Sequence, residues 1–248
     1  MRDIFDIYCK PGSDILNVSA GLVEFIPPMA LRETAAELVL KSETNNMSEI
    51  KYFHMYRERL GDSIYIQAIQ FLQQKHYDLG KFSKENILGT SGVSGGVISA
   101  IMMLKEKLHS RPGPVKIGLF NPFYVYHREI ATGVFGTNVQ FVYLDVNEDM
   151  SFDFKTIREN AGSLDMIMFT NPGNPSTHVM TKEEVDKFVL VAQEFKHCYF
   201  ISDEVYSDMI QPGFKHTSFH SPIPENIIVL RGFSKCMAVG SWRYLFSS

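Results

Sequence analysis

The chain has 248 residues, of which 45% are hydrophobic, and its formal net charge is -4. This length suffices for one large domain, or for one domain and part of a second. Because the chain is mildly acidic and has no basic cluster, we expect no nucleic-acid binding, and no apolar run is long enough to cross a bilayer. Cys9, Cys198 and Cys236 are too widely spaced for a disulfide framework or a zinc site. The first residues lack the apolar core of a signal peptide, so we expect a cytoplasmic protein.

The first quarter of the chain contains two predicted helices. A kinked extended segment at residues 25–28, rich in proline, follows Gly21. Residues 29–41 have the apolar spacing of a helix, and the polar run after residue 41 ends it. Tyr56 then precedes Gly61, which we predict to open a second amphipathic helix.

A run of small residues, Gly92-Val93-Ser94-Gly95-Gly96, lies between a short predicted strand and an apolar helix. Unpaired N–H groups at a helix start, together with the helix dipole, favour an anion. The sequence therefore predicts a phosphate site in this turn. The same residues also spell Gly-x-Ser-x-Gly, the nucleophile elbow of α/β-hydrolases. A serine hydrolase that uses Ser94 with Asp203 and His216 or His220 is therefore an alternative.

The remaining chain alternates short apolar runs with loops and helical patterns. This rhythm predicts an α/β fold with three layers, in which a mostly parallel sheet carries helices on both faces. Polar residues follow several strands, at the end where open α/β sheets bind ligands. A capping box at Thr181 and Glu184 predicts one of the helices. The predicted strands in this part span residues 115–120, 139–144, 165–170, 198–202 and 227–230.

The loop after the last of these strands contains Ser234-Lys235 and Ser241-Trp242-Arg243. A lysine amine forms a Schiff base with an aldehyde, and an aldehyde cofactor with a phosphate needs a cation and hydrogen-bond donors nearby. Upstream lie the rare string Asn171-Pro172-Gly173-Asn174-Pro175 and the pair Asp203 and Tyr206. In identity and order these motifs resemble fold-type I pyridoxal-phosphate enzymes of the class I/II aminotransferase family, from about Gly21 to the end of the chain.

The resemblance implies a role for each matching residue. Lys235 would hold pyridoxal 5'-phosphate and move the substrate α-proton, and Asp203 would keep the pyridine nitrogen protonated. Asn174 and Tyr206 would contact the phenolic oxygen, with Asn174 also close to the substrate. The other implied contacts are those of Gly92, Val93, Ser94, Ser234 and Arg243 to the phosphate, of Tyr124 to the ring, of Tyr56 to the phosphate of a neighbouring subunit, and of Gly21 to the substrate.

By resemblance, the expected activity is amino-group transfer between an amino acid and a 2-oxo acid, in a homodimer. Carbon–sulfur lyase chemistry, cyclopropane-forming synthase chemistry as in aminocyclopropane-carboxylate synthases, and an inactive cofactor-binding homologue remain alternatives. The chain departs from the family pattern at Gly232, where a hydroxyl residue is frequent, and at Ser241, where glycine is usual. Ser176-Thr177 also replaces the usual Thr-Gly.

The resemblance also implies a division of the chain. Residues 1–55 would contribute to a small domain and to dimer contacts, and residues 56–248 would form the large cofactor-binding domain. Most of the C-terminal part of the small domain, with the arginine that clamps the substrate α-carboxylate, has no counterpart before Ser248. We therefore expect a fragment, an alternative product or a divergent enzyme.

Overall fold

The computed structural model describes residues 23, 25–41, 56, 58–108, 111–242 and 244–247. Within these residues, the helix Ser63–Phe71 continues into a π-helical turn, Leu72–His76, and a short 3-10 turn spans Lys84–Asn86. No helix in the described part is both long enough and apolar enough to cross a membrane. The α-helices are α1 (Met29–Lys41), α2 (Ser63–Phe71), α3 (Gly92–Leu108), α4 (Val125–Phe135), α5 (Phe154–Ala161) and α6 (Lys182–Glu194).

The described residues form seven strands: β1 (Leu88–Ser91), β2 (Val115–Phe120), β3 (Val139–Leu144), β4 (Met166–Thr170), β5 (Tyr199–Asp203), β6 (Ile227–Gly232) and β7 (Tyr244–Ser247). They form one sheet with the order β1-β7-β6-β5-β4-β2-β3. The five strands from β6 to β3 are parallel, whereas β7 is antiparallel to both of its neighbours. The mostly parallel sheet predicted from the sequence is therefore confirmed.

The sheet has a separate apolar core on each face. Successive side chains of a strand point to opposite faces, so Phe200 packs in one core and its neighbour Ile201 in the other. Helices α5 and α6 cover the Phe200 face, where Phe188 is fully buried. Helices α3 and α4 cover the Ile201 face with residues such as Val97. The three-layer arrangement is thus confirmed as well.

Local sequence explains how several of the helices begin. The side chain of Thr181 accepts from the N–H of Glu184 at the start of α6, which confirms the predicted capping box. The second predicted helix begins at Ser63 rather than at Gly61, because Asp62 caps it by accepting two backbone N–H groups. In α3, a Cβ on Gly96 would lie 3.1 Å from Leu230, so glycine lets the start of this helix approach β6 closely.

The helix predicted at residues 29–41 is confirmed as α1. The proposed division at residue 55 stays a prediction, because residues 1–22 and 42–55 lie outside the described residues. The same holds for the small domain that the N-terminal segment was expected to help build.

Candidate active site

A cavity of about 470 Å³ opens at the carboxyl ends of β4, β5 and β6, beside the first turn of α3. This is the edge where open parallel sheets place their ligands. The lining combines an amine, a carboxylate, an amide and several hydroxyl groups, so it can bind a polar, charged molecule. The polar residues that line the cavity are Ser94, Tyr124, His127, Thr170, Asn174, Asp203, Tyr206, Ser234, Lys235 and Ser241.

Asp203, the last residue of β5, places a buried carboxylate in the cavity. Its Oδ2 lies 3.2 Å from Nε2 of His127, and its Oδ1 accepts from the N–H of Val205 at 3.1 Å. A carboxylate that is only 3% exposed requires such partners, because an unpaired buried charge is strongly unfavourable. The arrangement fixes Asp203 and presents a negative charge to a bound ligand.

His127 is a site residue that the sequence analysis missed. It lies on α4, it is 1% exposed, and it shares a buried helix face with Ala131 and Phe135. A histidine on such a face usually belongs to the core, and the spacing of 76 residues from Asp203 gives no local signal. The only available sequence signal was the polar residue within an otherwise apolar stripe.

Asn174 and Tyr206 contact each other on the wall of the cavity. The amide nitrogen of Asn174 lies 3.4 Å from the hydroxyl oxygen of Tyr206, and the backbone N–H of Asn174 donates to Oγ1 of Thr170 at 2.7 Å. Burial raises the pKa of Tyr206 and the charge of Asp203 adds to this, whereas the Asn174 contact acts in the opposite direction. Tyr206 is therefore a neutral phenol, able to donate a hydrogen bond to an oxygen of a ligand.

Lys235 lies in the loop that follows β6. Two backbone hydrogen bonds shape this loop, from Met237 N–H to the Phe233 carbonyl at 3.0 Å and from Ala238 N–H to the Lys235 carbonyl at 3.3 Å. The ammonium nitrogen Nζ lies 5.7 Å from the centre of the Tyr206 ring. Because the amine and the phenol line one cavity, both are accessible to a molecule bound there.

The anion site predicted from the sequence falls in the first turn of α3. Gly92 opens the helix with a φ of 78°, a conformation that favours glycine, and Val93 and Ser94 follow in the first turn and line the cavity. Gly92 itself is buried and does not line it. The free N–H groups and the dipole of the helix start favour a negatively charged group here.

Tyr124, the residue immediately before α4, also lines the cavity. Its ring meets the ring of His127 edge-on at 5.4 Å. Burial, with a further contribution from the charge of Asp203, raises the pKa of Tyr124 to about 12. This aromatic ring is therefore neutral and is held beside the carboxylate.

Besides Gly92, three of the residues implied by the resemblance are not placed in the cavity. Gly21 and Arg243 lie outside the described residues. Tyr56 is fully exposed and does not line the cavity of its own chain. Its contact with a neighbouring subunit stays a prediction.

The serine hydrolase alternative requires a base paired with both Ser94 and Asp203. In the structure Asp203 is paired with His127 instead, and Nε2 of His216 lies 3.0 Å from Glu204. Ser94 lies inside the first turn of α3 and not at a strand-to-helix corner. This geometry does not support the hydrolase alternative.

Comparison with known sequences identifies the protein family of the chain. The family described as aminotransferase class I and II matches residues 13–244. The chain belongs to this family. A probable aspartate aminotransferase of Methanocaldococcus jannaschii is 25% identical over 246 residues, which cover 98% of the chain and 58% of that relative. An aspartate aminotransferase of Thermotoga maritima is 26% identical over 243 residues, which cover 96% of the chain and 59% of that relative.

Solved structures agree on the fold of this aminotransferase-family chain. An amino transferase of Eubacterium rectale superposes with a TM-score of 0.82 at 20% identity, and the match covers 99% of the chain and 61% of that structure. The chain spans about 58% of the length of the curated relatives it matches. Aminotransferases of class I and II use pyridoxal 5'-phosphate.

Proposed function

We propose that the chain forms the pyridoxal-phosphate-binding core of an aminotransferase that moves an amino group between an amino acid and a 2-oxo acid. The observation that carries this proposal is the shared cavity lined by Lys235, Asp203, Asn174 and Tyr206. These four residues come from three different strand ends and loops, and they match the family motifs in identity and order. The names of the relatives favour amino-group transfer over the lyase and synthase alternatives.

The donor set of the cavity fits the cofactor. The Asp203 carboxylate, buried and held by His127, suits a protonated pyridine nitrogen, since each partner favours the charged form of the other. The Asn174 amide and the Tyr206 hydroxyl suit a phenolic oxygen. The start of α3, with Ser94, suits a phosphate, and Ser234 adds a hydroxyl. Tyr124 would lie against the ring, where stacking contributes about 1 kcal/mol.

When bound, the cofactor supplies a ring that withdraws electrons from the α-carbon of the amino acid. Each protein group then has one task. Asp203 would keep the ring nitrogen charged, and Tyr206 would donate to the phenolic oxygen. Lys235 would provide the amine that holds the cofactor, and its Nζ, once the substrate amine has displaced it, would carry the α-proton as general base and general acid.

Aspartate is the amino acid to test first, because the relatives with the widest coverage carry the name aspartate aminotransferase. The chain covers about 58% of those relatives, so we expect that groups which clamp the substrate belong to the remaining part of such enzymes. By the family resemblance we also propose a homodimer in which Tyr56 reaches the neighbouring subunit, and a cytoplasmic location.

The test is the visible absorbance of the purified chain with added pyridoxal phosphate, before and after addition of aspartate. We expect a visible absorbance band that disappears when aspartate is added and returns when 2-oxoglutarate is added. Lys235→Ala should abolish cofactor that borohydride can fix to the protein, because the attaching amine is gone. Lys215→Ala, which removes an exposed lysine outside the cavity, is the matched control and should label as the wild type does. Fixable cofactor retained in Lys235→Ala would overturn the proposal.

A further inference from the structure

A buried ion pair between Glu204 and Arg231 lies directly after β5 and within the end of β6. Oε2 of Glu204 accepts from Nε of Arg231 at 3.0 Å and from its Nη2 at 2.7 Å. Their side chains are 0% and 2% exposed. Alternation along the strands puts this pair on the Phe200 face of the sheet, whereas Asp203 points to the cavity on the other face. The pair does not line the cavity.

Three further side chains donate to the same carboxylate. Oε1 of Glu204 accepts from the hydroxyls of Ser218 at 2.7 Å and Ser202 at 3.1 Å, and Nε2 of His216 lies 3.0 Å from Oε2. Burial alone would raise the pKa of Glu204, but the charges and hydrogen bonds around it lower the pKa to about 2. Both members of the pair are therefore charged at neutral pH.

Arg231 also reaches the segment that precedes the sheet. Its Nη1 donates to Oε1 of Gln73 in the π-helical turn at 3.4 Å, and its guanidinium lies 4.6 Å from the centre of the Tyr77 ring. The Tyr77 hydroxyl in turn donates to Asp208 at 2.7 Å, two residues after Tyr206. The pair thus connects the segment that carries Tyr206 with the strand that leads to Lys235.

We propose that Glu204 and Arg231 are positioning residues, which fix the distance between Asp203 and Lys235 from the opposite face of the sheet. Glu204 follows Asp203 directly, and Arg231 precedes Lys235 by four residues. The N–H of Glu204 also donates to the Leu230 carbonyl at 2.7 Å, so the two strand ends are joined at both backbone and side chain. The inference rests on the proposed function of the cavity.

A buried ion pair is weak evidence of a stabilising role. Replacement of a buried ion pair by neutral side chains is often neutral for stability or even stabilising, whereas removal of one partner is costly. What a multiply hydrogen-bonded pair adds is directional geometry. The double variant Glu204→Gln/Arg231→Met therefore separates the two roles.

The first experiment uses the chain without cofactor and measures amide hydrogen exchange. In Arg231→Met we expect exchange at residues 203–207 and 232–238 to accelerate about tenfold, since the link between the strand ends is lost. The control is Arg111→Met, which breaks an ion pair to Asp165 before β4 and should leave both segments unchanged. If Arg231→Met does not fold, Glu204→Gln, which preserves shape, replaces it. Unchanged exchange at both segments in a folded variant would overturn the proposal.

The second experiment compares thermal stability with the affinity for pyridoxal phosphate and the visible circular dichroism of the bound cofactor. In the double variant we expect stability to return close to wild type, while affinity stays about tenfold weaker and the dichroic band stays altered. Recovery of all three together would mean a purely structural role. If the wild type binds no cofactor, the proposed function fails, and the hydrogen-exchange comparison still decides the positioning role.

Discussion

The two edges of the parallel sheet use the same kinds of residue for different purposes. At the amino edge, the carboxylate of Asp165 is paired with Arg111 and accepts from the N–H of Lys116 at 2.8 Å. A smaller cavity of about 190 Å³ lies there, and Lys105 on its wall donates to the Val134 carbonyl at 2.7 Å. The charged groups at this edge thus pair with each other or hydrogen-bond to neighbouring backbone groups, and they stabilise the fold.

At the carboxyl edge, the charged groups are divided between the two faces of the sheet. Glu204 and Arg231 form an ion pair on one face, and Asp203 and Lys235 line the cavity on the other. Among the residues that the structure describes, the Asp203 carboxylate has the His127 ring and the Val205 N–H as hydrogen-bond partners, so it retains capacity to accept from a ligand. The difference shows that a buried acid after a strand indicates a site only when its remaining hydrogen-bonding capacity faces an open space.

The strongest test of this comparison is the removal of each acid in turn. Asp203→Ala should lower the rate of transamination on the order of a hundredfold to a thousandfold, because the charge that supports the cofactor ring is lost. Asp165→Ala should leave the rate intact but lower the free energy of unfolding by about 1–3 kcal/mol, since it leaves the Lys116 N–H unsatisfied. The measurements are steady-state kinetics and urea unfolding of both variants. Equal rates in the two variants would remove the distinction between the edges.

Part of this arrangement could be predicted from the sequence, because some signals are local. The capping box at Thr181 and the apolar strand before Asp203 depend on neighbours within a few residues. The turn that contains Ser94 was predicted from its small residues at a helix start, whereas roles for the other cavity residues came from the family resemblance, which fixes order but not geometry. The pairs Glu204 with Arg231 and Asp203 with His127 join residues 27 and 76 positions apart, and neither separation leaves a periodic pattern.

A second test lowers the pH until Glu204, at the carboxyl edge of the sheet, becomes protonated. Surrounding charges and hydrogen bonds outweigh burial and lower the pKa of Glu204 from its ordinary value of 4.5 to about 2 in the folded chain. Because the folded pKa lies below the unfolded one, ionised Glu204 stabilises the fold fully above about pH 4.5, and this contribution is lost as the pH falls towards about 2. The difference in free energy of unfolding between wild type and Arg231→Met should therefore shrink by roughly 2 kcal/mol across that window.

Urea unfolding at a series of pH values measures this difference. Arg111→Met is the control at the amino edge. Its effect on unfolding should be smaller than that of Arg231→Met, because the Arg111 side chain is 53% exposed whereas that of Arg231 is 2% exposed. A difference between wild type and Arg231→Met that stays constant from neutral into acidic solution would contradict the role given to the Glu204 charge.

The smallest expected effect comes from two tyrosines at opposite ends of the β5 region. Tyr206→Phe removes a hydroxyl that lies 3.4 Å from the Asn174 amide within the cavity, and it should lower the rate about tenfold, the equivalent of one hydrogen bond. Tyr199→Phe removes a hydroxyl that accepts from Lys107 at 3.0 Å at the amino end, and it should leave the rate unchanged. The decisive reading is the absorbance of bound cofactor in each variant. Since Tyr206 is the one of these two tyrosines that is proposed to contact the phenolic oxygen, only its loss should shift the visible band. A band that shifts equally in both variants would show that the effect reaches the cofactor through the strand and not through that contact.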